Sequence, residues 1–145
     1  MSIVRNILQK KGNAVHSISA DSSVYDALEE LEEKNIGSLI VIENGKLAGL
    51  FTERDYARKV VLKGRSSKET LVRDIMSSNL LFVSPDNTLD ECMQLMTDKF
   101  TRHLPVLEND DLVGIISIGD IVKYTIYDKD FIIGNLEHYI TGRKS

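Results

Sequence analysis

The chain has 145 residues, 42% apolar and 28% charged, with a formal net charge of −4. That length suits one domain or two half-size modules sharing a core, and the composition excludes a disordered, collagen-like or coiled-coil chain. The acidic balance leaves no electrostatic footprint for nucleic acid. No run approaches the roughly 20 apolar residues of a spanning helix, and no signal-peptide pattern opens the chain. A cytoplasmic protein with no membrane partner is therefore expected. Cys92 is the single cysteine and cannot close an intrachain disulfide.

An internal repeat organises the chain. At a shift of 65, residues 18–55 fall on 83–120 without a gap, and ten of the 38 pairs are identical, among them Asp21/Asp86, Leu39/Leu104, Glu43/Glu108, Gly49/Gly114 and Asp55/Asp120. The openings match at a shift of 68, Val4-Arg5-Asn6-Ile7-Leu8 against Val72-Arg73-Asp74-Ile75-Met76. A loop within Gln9–Ser17 absorbs the difference.

In chain order each copy reads alike. A short helical turn comes first, then a short strand, Ala14–Ile18 or Leu80–Val83. Asp21-Ser22-Ser23 and Asp86-Asn87-Thr88 offer N-cap oxygens to a helix. Its apolar stripe is Val24, Ala27, Leu28 and Leu31, repeated as Leu89, Cys92, Met93 and Met96. Strands Ser38–Glu43 and Leu104–Glu108 turn through Asn44-Gly45, a strong hairpin signal, and Asn109-Asp110-Asp111, a weaker one. The return strands are Leu47–Thr52 and Leu112–Ser117, and a second helix starts near Thr52 and Ser117. The segment from Lys63 to Glu69 is polar and reads as a surface connection. From Ile121 to Arg143 a long helix is expected, broken near Gly134, with more apolar surface than one small module needs. That surplus suggests a second copy of the chain as partner.

The expected fold class is α+β: two β-α-β-β-α units related by a pseudo-two-fold and packed through their sheets. Residues 1–62 form unit one, 63–71 a linker, 72–127 unit two and 128–145 a helical tail. A three-stranded unit of this size is marginal alone, which favours pairing.

One polar constellation occurs in both copies, Gly49-Leu50-Phe51-Thr52-Glu53-Arg54-Asp55 and Gly114-Ile115-Ile116-Ser117-Ile118-Gly119-Asp120. The hydroxyl falls where a strand ends and a helix begins, beside unpaired N–H groups that favour an anion. The aspartate one turn on can accept from two ribose hydroxyls. The same spacing is also a plain capping box, and the sequence leaves both readings open. Arg54, Arg58 and Lys59 on one side, and Arg102 and His103 on the other, are the cations a phosphate would want; a solvated helix face is the alternative for Arg58 and Lys59.

With Arg102-His103-Leu104-Pro105-Val106 leading into a strand, these stretches resemble the CBS domain family in its tandem, Bateman-module arrangement, over roughly Val4–Val60 and Val72–Tyr124. The resemblance implies clefts between the units that bind AMP, ADP, ATP, NAD(H) or S-adenosylmethionine, and pairs that assemble into a disk. It makes Asp55 and Asp120 ribose contacts, and Thr52 and Ser117 phosphate or ribose contacts, with Gly119 in the same motif. Val15, His16, Ile36, Gly37, Ser38, Leu104 and Pro105 would line the base pocket. Gly37-Ser38 stands where the second copy has Arg102-His103, so the two clefts are expected to differ.

His16, His103 and His138 fit no metal-ligand spacing, and no metal or catalytic cofactor is expected. No nucleophile elbow, P-loop or dinucleotide glycine signature occurs. Cys92 sits on an apolar stripe and reads as an inert thiol. The expected function is regulatory, not enzymatic: adenine-nucleotide sensing in trans on an unknown protein target, in a homodimer or larger assembly. The alternative is a structural or protein-interaction module with vestigial clefts.

Overall fold

The computed structural model describes residues 2–127. The elements are α1 (Val4–Lys11), β1 (Ser17–Ser19), α2 (Val24–Lys34), β2 (Ser38–Glu43), β3 (Lys46–Thr52), α3 (Glu53–Tyr56), α4 (Val72–Ile75), α5 (Leu89–Lys99), β4 (His103–Glu108), β5 (Asp111–Ser117) and α6 (Ile118–Tyr127). A π-helical turn, Ala57–Val61, continues α3. The α+β class follows from this mixture. The rest of the expected tail, with Gly134 and His138, lies outside the described residues.

The two copies of the repeat fold alike to the register. Ser38 faces Thr52 across β2 and β3, and His103 faces Ser117 across β4 and β5. Both hairpins carry an irregularity at the same place, between Val41 and Ile42 and between Val106 and Leu107. Both turns use two residues of positive φ, Asn44 and Gly45 in one and Asn109 and Asp110 in the other. That backbone matches the right-handed twist of the flanking strands. The long helices start as the spacing predicts: Ser23 accepts from Asp26 N–H, and Thr88 and Glu91 close a capping box. Both end in a left-handed residue, Asn35 and Phe100.

The described chain divides into two compact units, residues 14–81 and residues 2–13 with 82–127. Each therefore joins the opening helix of one repeat to the body of the other. In the first, Val72 N–H donates to Ser22 O and Arg73 N–H to Ala20 O, at 2.8 and 3.0 Å. In the second, Val4 N–H donates to Asn87 O and Arg5 N–H to Pro85 O, at 2.9 and 2.8 Å. The Arg73 guanidinium pairs with Asp21 and Glu43; Arg5 pairs with Asp86 and Glu108. Thus Asp21/Asp86 and Glu43/Glu108, identical in both repeats, are the anchors for an arriving arginine. The sequence placed each opening helix with its own repeat, and in the structure the compact units exchange them.

The core of the 14–81 unit gathers Val24, Ala27 and Leu31 of α2, Leu39 and Val41 of β2, Phe51 of β3, Val60, and Val72 and Ile75 of α4. Each such large side chain contributes roughly 1.5–3 kcal/mol by burial, so α4 is held by its apolar face although it is one turn long. The Lys63–Glu69 connection and its neighbour Thr70 do more than span the surface. Thr70 is buried, and Thr70 O and Ser67 O accept from the first-turn N–H groups of Val24 and Tyr25. Those carbonyls satisfy donors that a helix start leaves open.

The expected first strands shift or shrink. The first is Ser17–Ser19 rather than Ala14–Ile18, and the second, Leu80–Val83, reduces to one bridge between Val83 and Val106. Pro105 explains the second case. In the first repeat Ile40 N–H donates to His16 O at 3.1 Å. Pro105 stands at the equivalent place and has no N–H, so that rung of the ladder cannot form. The sheets consequently have three strands and two.

Candidate functional site

The two shared motifs form equivalent strand-to-helix junctions. At the first, Thr52 caps α3. Its Oγ1 accepts from Asp55 N–H at 3.1 Å, and Asp55 Oδ2 accepts from Thr52 N–H and Oγ1–H, each at 3.1 Å. The other carboxylate oxygen accepts from Ser77 Oγ–H at 3.2 Å and pairs with Lys59 Nζ at 3.2 Å. Lys59 also donates to Ile75 O. Asp55 is buried with both oxygens engaged.

At the second junction Ser117 Oγ accepts from Asp120 N–H at 3.0 Å, and Asp120 Oδ2 accepts from Ser117 N–H at 2.8 Å. The cation comes from another element: Lys11 Nζ lies 2.8 Å from Asp120 Oδ2 and 2.8 Å from Ile115 O. No described residue donates to Asp120 Oδ1. The side chain is 25% exposed, against 10% for Asp55. Burial raises the Asp120 pKa, but the hydrogen bonds from Lys11 and Ser117 outweigh it and hold the group below its ordinary value. His103, paired across the strand with Ser117, is pushed down by burial; Asp120 opposes that shift, while Lys11 and Arg102 add to it. Lys11, Arg102 and Asp120 thus all lie within electrostatic reach of His103.

Both glycines of the motif have a packing reason. A Cβ at Gly49 would lie 2.7 Å from Met76 Sδ and 2.9 Å from Ser77 O, and one at Gly114 would lie 2.7 Å from Leu8 Cδ2. Met76 and Leu8 are equivalent residues of the two opening helices, so each glycine makes room for the helix that docks on its unit.

The structure places the remaining candidates as follows. Around the first junction, Ile36, Gly37 and Ser38 are half-buried, and Gly37 O accepts from Glu53 N–H. Ile36 and Gly37 line an open groove of about 490 Å³ with Leu28, Leu31, Glu32, Asn35 and Glu53. Its carboxylates make it a poor host for phosphate. Val15 is half-buried and His16 exposed. Arg54 and Arg58 are exposed as well, and it is Lys59 that pairs with Asp55. Around the second, Leu104 and Pro105 are buried, Arg102 and Gly119 exposed, and Arg102 O accepts from Ile118 N–H. Sequence reasoning missed Lys11 and Ser77, which sit beyond the apolar turns of the opening helices. The one signal for them was the match of those openings between the repeats. Cys92 is buried, and burial pushes its thiol up to about 11, in keeping with an inert role. No described helix is long and apolar enough to cross a membrane.

The repeat, the two capped junctions and the paired hairpins define a tandem module of two small α+β units. The chain belongs to the CBS domain family, whose sequence model matches residues 4–62 and 72–127. It is 37% identical over 148 residues to the mitochondrial CBS domain-containing protein CBSX3 of Arabidopsis thaliana, covering 96% of this chain and 72% of that protein. A solved protein with CBS domains from Burkholderia ambifaria MC40-6 superposes with a TM-score of 0.86 at 47% identity, covering 88% of this chain and 96% of that one. A hexameric CBS-CP12 protein from bloom-forming cyanobacteria superposes with a TM-score of 0.76 at 28% identity, covering 91% and 73%.

Proposed function

We propose that this chain is a non-catalytic regulatory module that binds an adenosine-containing nucleotide, of the AMP, ATP or NAD(H) kind, at the Ser117–Asp120 junction. It passes the bound state to a protein partner in trans, and it works as a homodimer or larger assembly. The observation that carries the reading is the contrast between the two aspartates. Among the described residues none donates to one carboxylate oxygen of Asp120, which lies beside a hydroxyl and three cationic or titratable side chains, whereas both oxygens of Asp55 are engaged. A carboxylate with an open oxygen can accept from a ribose hydroxyl, and nearby cations favour phosphate. The hexameric state of the cyanobacterial protein supports assembly.

A second reading, an architectural module with vestigial sites, has its own support: both aspartates close capping boxes on their own junctions. Titration calorimetry with AMP, ATP and NADH separates the two. Binding in the micromolar to millimolar range, weakened at least about tenfold in Asp120→Ala and kept in Asp55→Ala, supports sensing. Absence of binding for all three nucleotides leaves the architectural reading.

A further inference from the structure

Lys11 ends α1, and the exchange of opening helices carries it to a junction 109 residues away in sequence. Two of its three ammonium protons are used, one on Ile115 O and one on Asp120 Oδ2. At the equivalent place in the other unit, Ser77 does both jobs with fixed groups: its N–H donates to Leu50 O and its hydroxyl to Asp55 Oδ1. Ile115 and Leu50 are equivalent residues, so one mobile ammonium replaces a backbone N–H and a hydroxyl. The Lys11 side chain is 32% exposed and its partner 25%. A pair that open to water is held weakly and can exchange partners. The flexible lysine stem lets the ammonium swing without moving the backbone.

We propose that Lys11 is the residue by which the Asp120 site reads phosphate on its ligand. The inference rests on Asp120 holding the ribose. A ribose diol brings two hydroxyl donors to that carboxylate. One meets Oδ1, to which no described residue donates; the other competes with Lys11 for Oδ2. A nucleoside 5′-phosphate offers the displaced ammonium a new anion, while an uncharged nucleoside offers none. Lys11 thus penalises adenosine and favours AMP, by exchange of one counter-ion for another.

The test is calorimetry with AMP and with adenosine on the full chain, using Lys11→Met, which keeps the apolar stem, Lys11→Arg, which keeps the charge, and Asp120→Ala; melting curves confirm that each variant is folded. The wild type is expected to prefer AMP by at least about tenfold. Lys11→Met should shrink that ratio to within about twofold, with adenosine binding unchanged or tighter, and Lys11→Arg should restore most of it. An unchanged ratio in Lys11→Met, with binding still lost in Asp120→Ala, overturns the role of Lys11 and leaves the nucleotide reading standing. A wild type that binds neither compound overturns both.

Discussion

Asp55 and Asp120 occupy the same place in two copies of one motif, and the arriving opening helix brings a different group to each. At Asp55 the arriving opening helix is followed by Ser77, whose backbone pairs with Leu50 and whose hydroxyl reaches the carboxylate. At Asp120 the arriving helix ends in Lys11, and a side chain does the work of a strand. The first junction is locked by backbone pairing and sealed. The second is held by a charge pair that water reaches. Duplication supplied two equal scaffolds, and the residue at or just beyond the end of each opening helix decides how tightly its junction is closed.

The largest effect separating the two junctions should come from their glycines. Gly49→Ala brings a Cβ against Ser77 O, a backbone atom that cannot yield, and should cost about 2–3 kcal/mol. Gly114→Ala meets the end of the Leu8 side chain, which can rotate away, and should cost about 1 kcal/mol. Urea denaturation of both variants checks the order, and equal losses would contradict the difference between a backbone and a side-chain lock.

Next comes the pair of aspartates themselves. Asp55→Ala opens a capping box and leaves the half-buried Ser77 hydroxyl without its carboxylate, while Lys59 keeps Ile75 O, for about 2 kcal/mol. Asp120→Ala opens the equivalent box at a half-buried site and should cost about 1 kcal/mol. A larger loss at Asp120 would mean that its junction is the more tightly built one.

A pH series reads the open junction through His103 and Asp120, with Glu91 of the α5 capping box, held below its ordinary value by Thr88 and Asn87, adding to the acid stage. The pKa of His103 is depressed on folding, so the unfolded chain binds its proton first; stability falls as pH drops below the ordinary histidine value of about 6.5. Asp120 is also depressed, and its contribution is present above the ordinary aspartate value of about 3.9 and lost as pH falls further. Melting temperature should therefore decline in two stages, and His103→Gln should remove the upper one. A decline between pH 7 and 5 that survives His103→Gln would place the titrating group elsewhere.

The smallest effect concerns the hairpins. Asp110 takes the positive φ that Gly45 takes in the other copy. Asp110→Gly should stabilise the β4–β5 turn by about 0.5–1 kcal/mol, read as a raised denaturation midpoint.

Much of this was legible in the sequence because it is local. Ser23, Thr88, Asn44-Gly45 and the α2 and α5 stripes act over one turn or one hairpin, where spacing alone specifies the hydrogen bond or the buried face. The Thr52–Asp55 and Ser117–Asp120 boxes were visible for the same reason, and so was the difference between the Gly37-Ser38 and Arg102-His103 approaches. The shortened first strand of the second repeat could have been read from Pro105, since a residue without N–H at a ladder position speaks for itself.

The sequence by itself determined the duplication, the α+β elements of each copy and the family they belong to. Only the tertiary structure decided which opening helix serves which body. Arg5 and Arg73 are equivalent, as are Asp21 and Asp86, and Glu43 and Glu108. A duplicated chain offers the same anchors in both copies, so docking at home and docking across read alike in one dimension. Packing resolves the choice, and that choice sets Lys11 beside Asp120 and Ser77 beside Asp55.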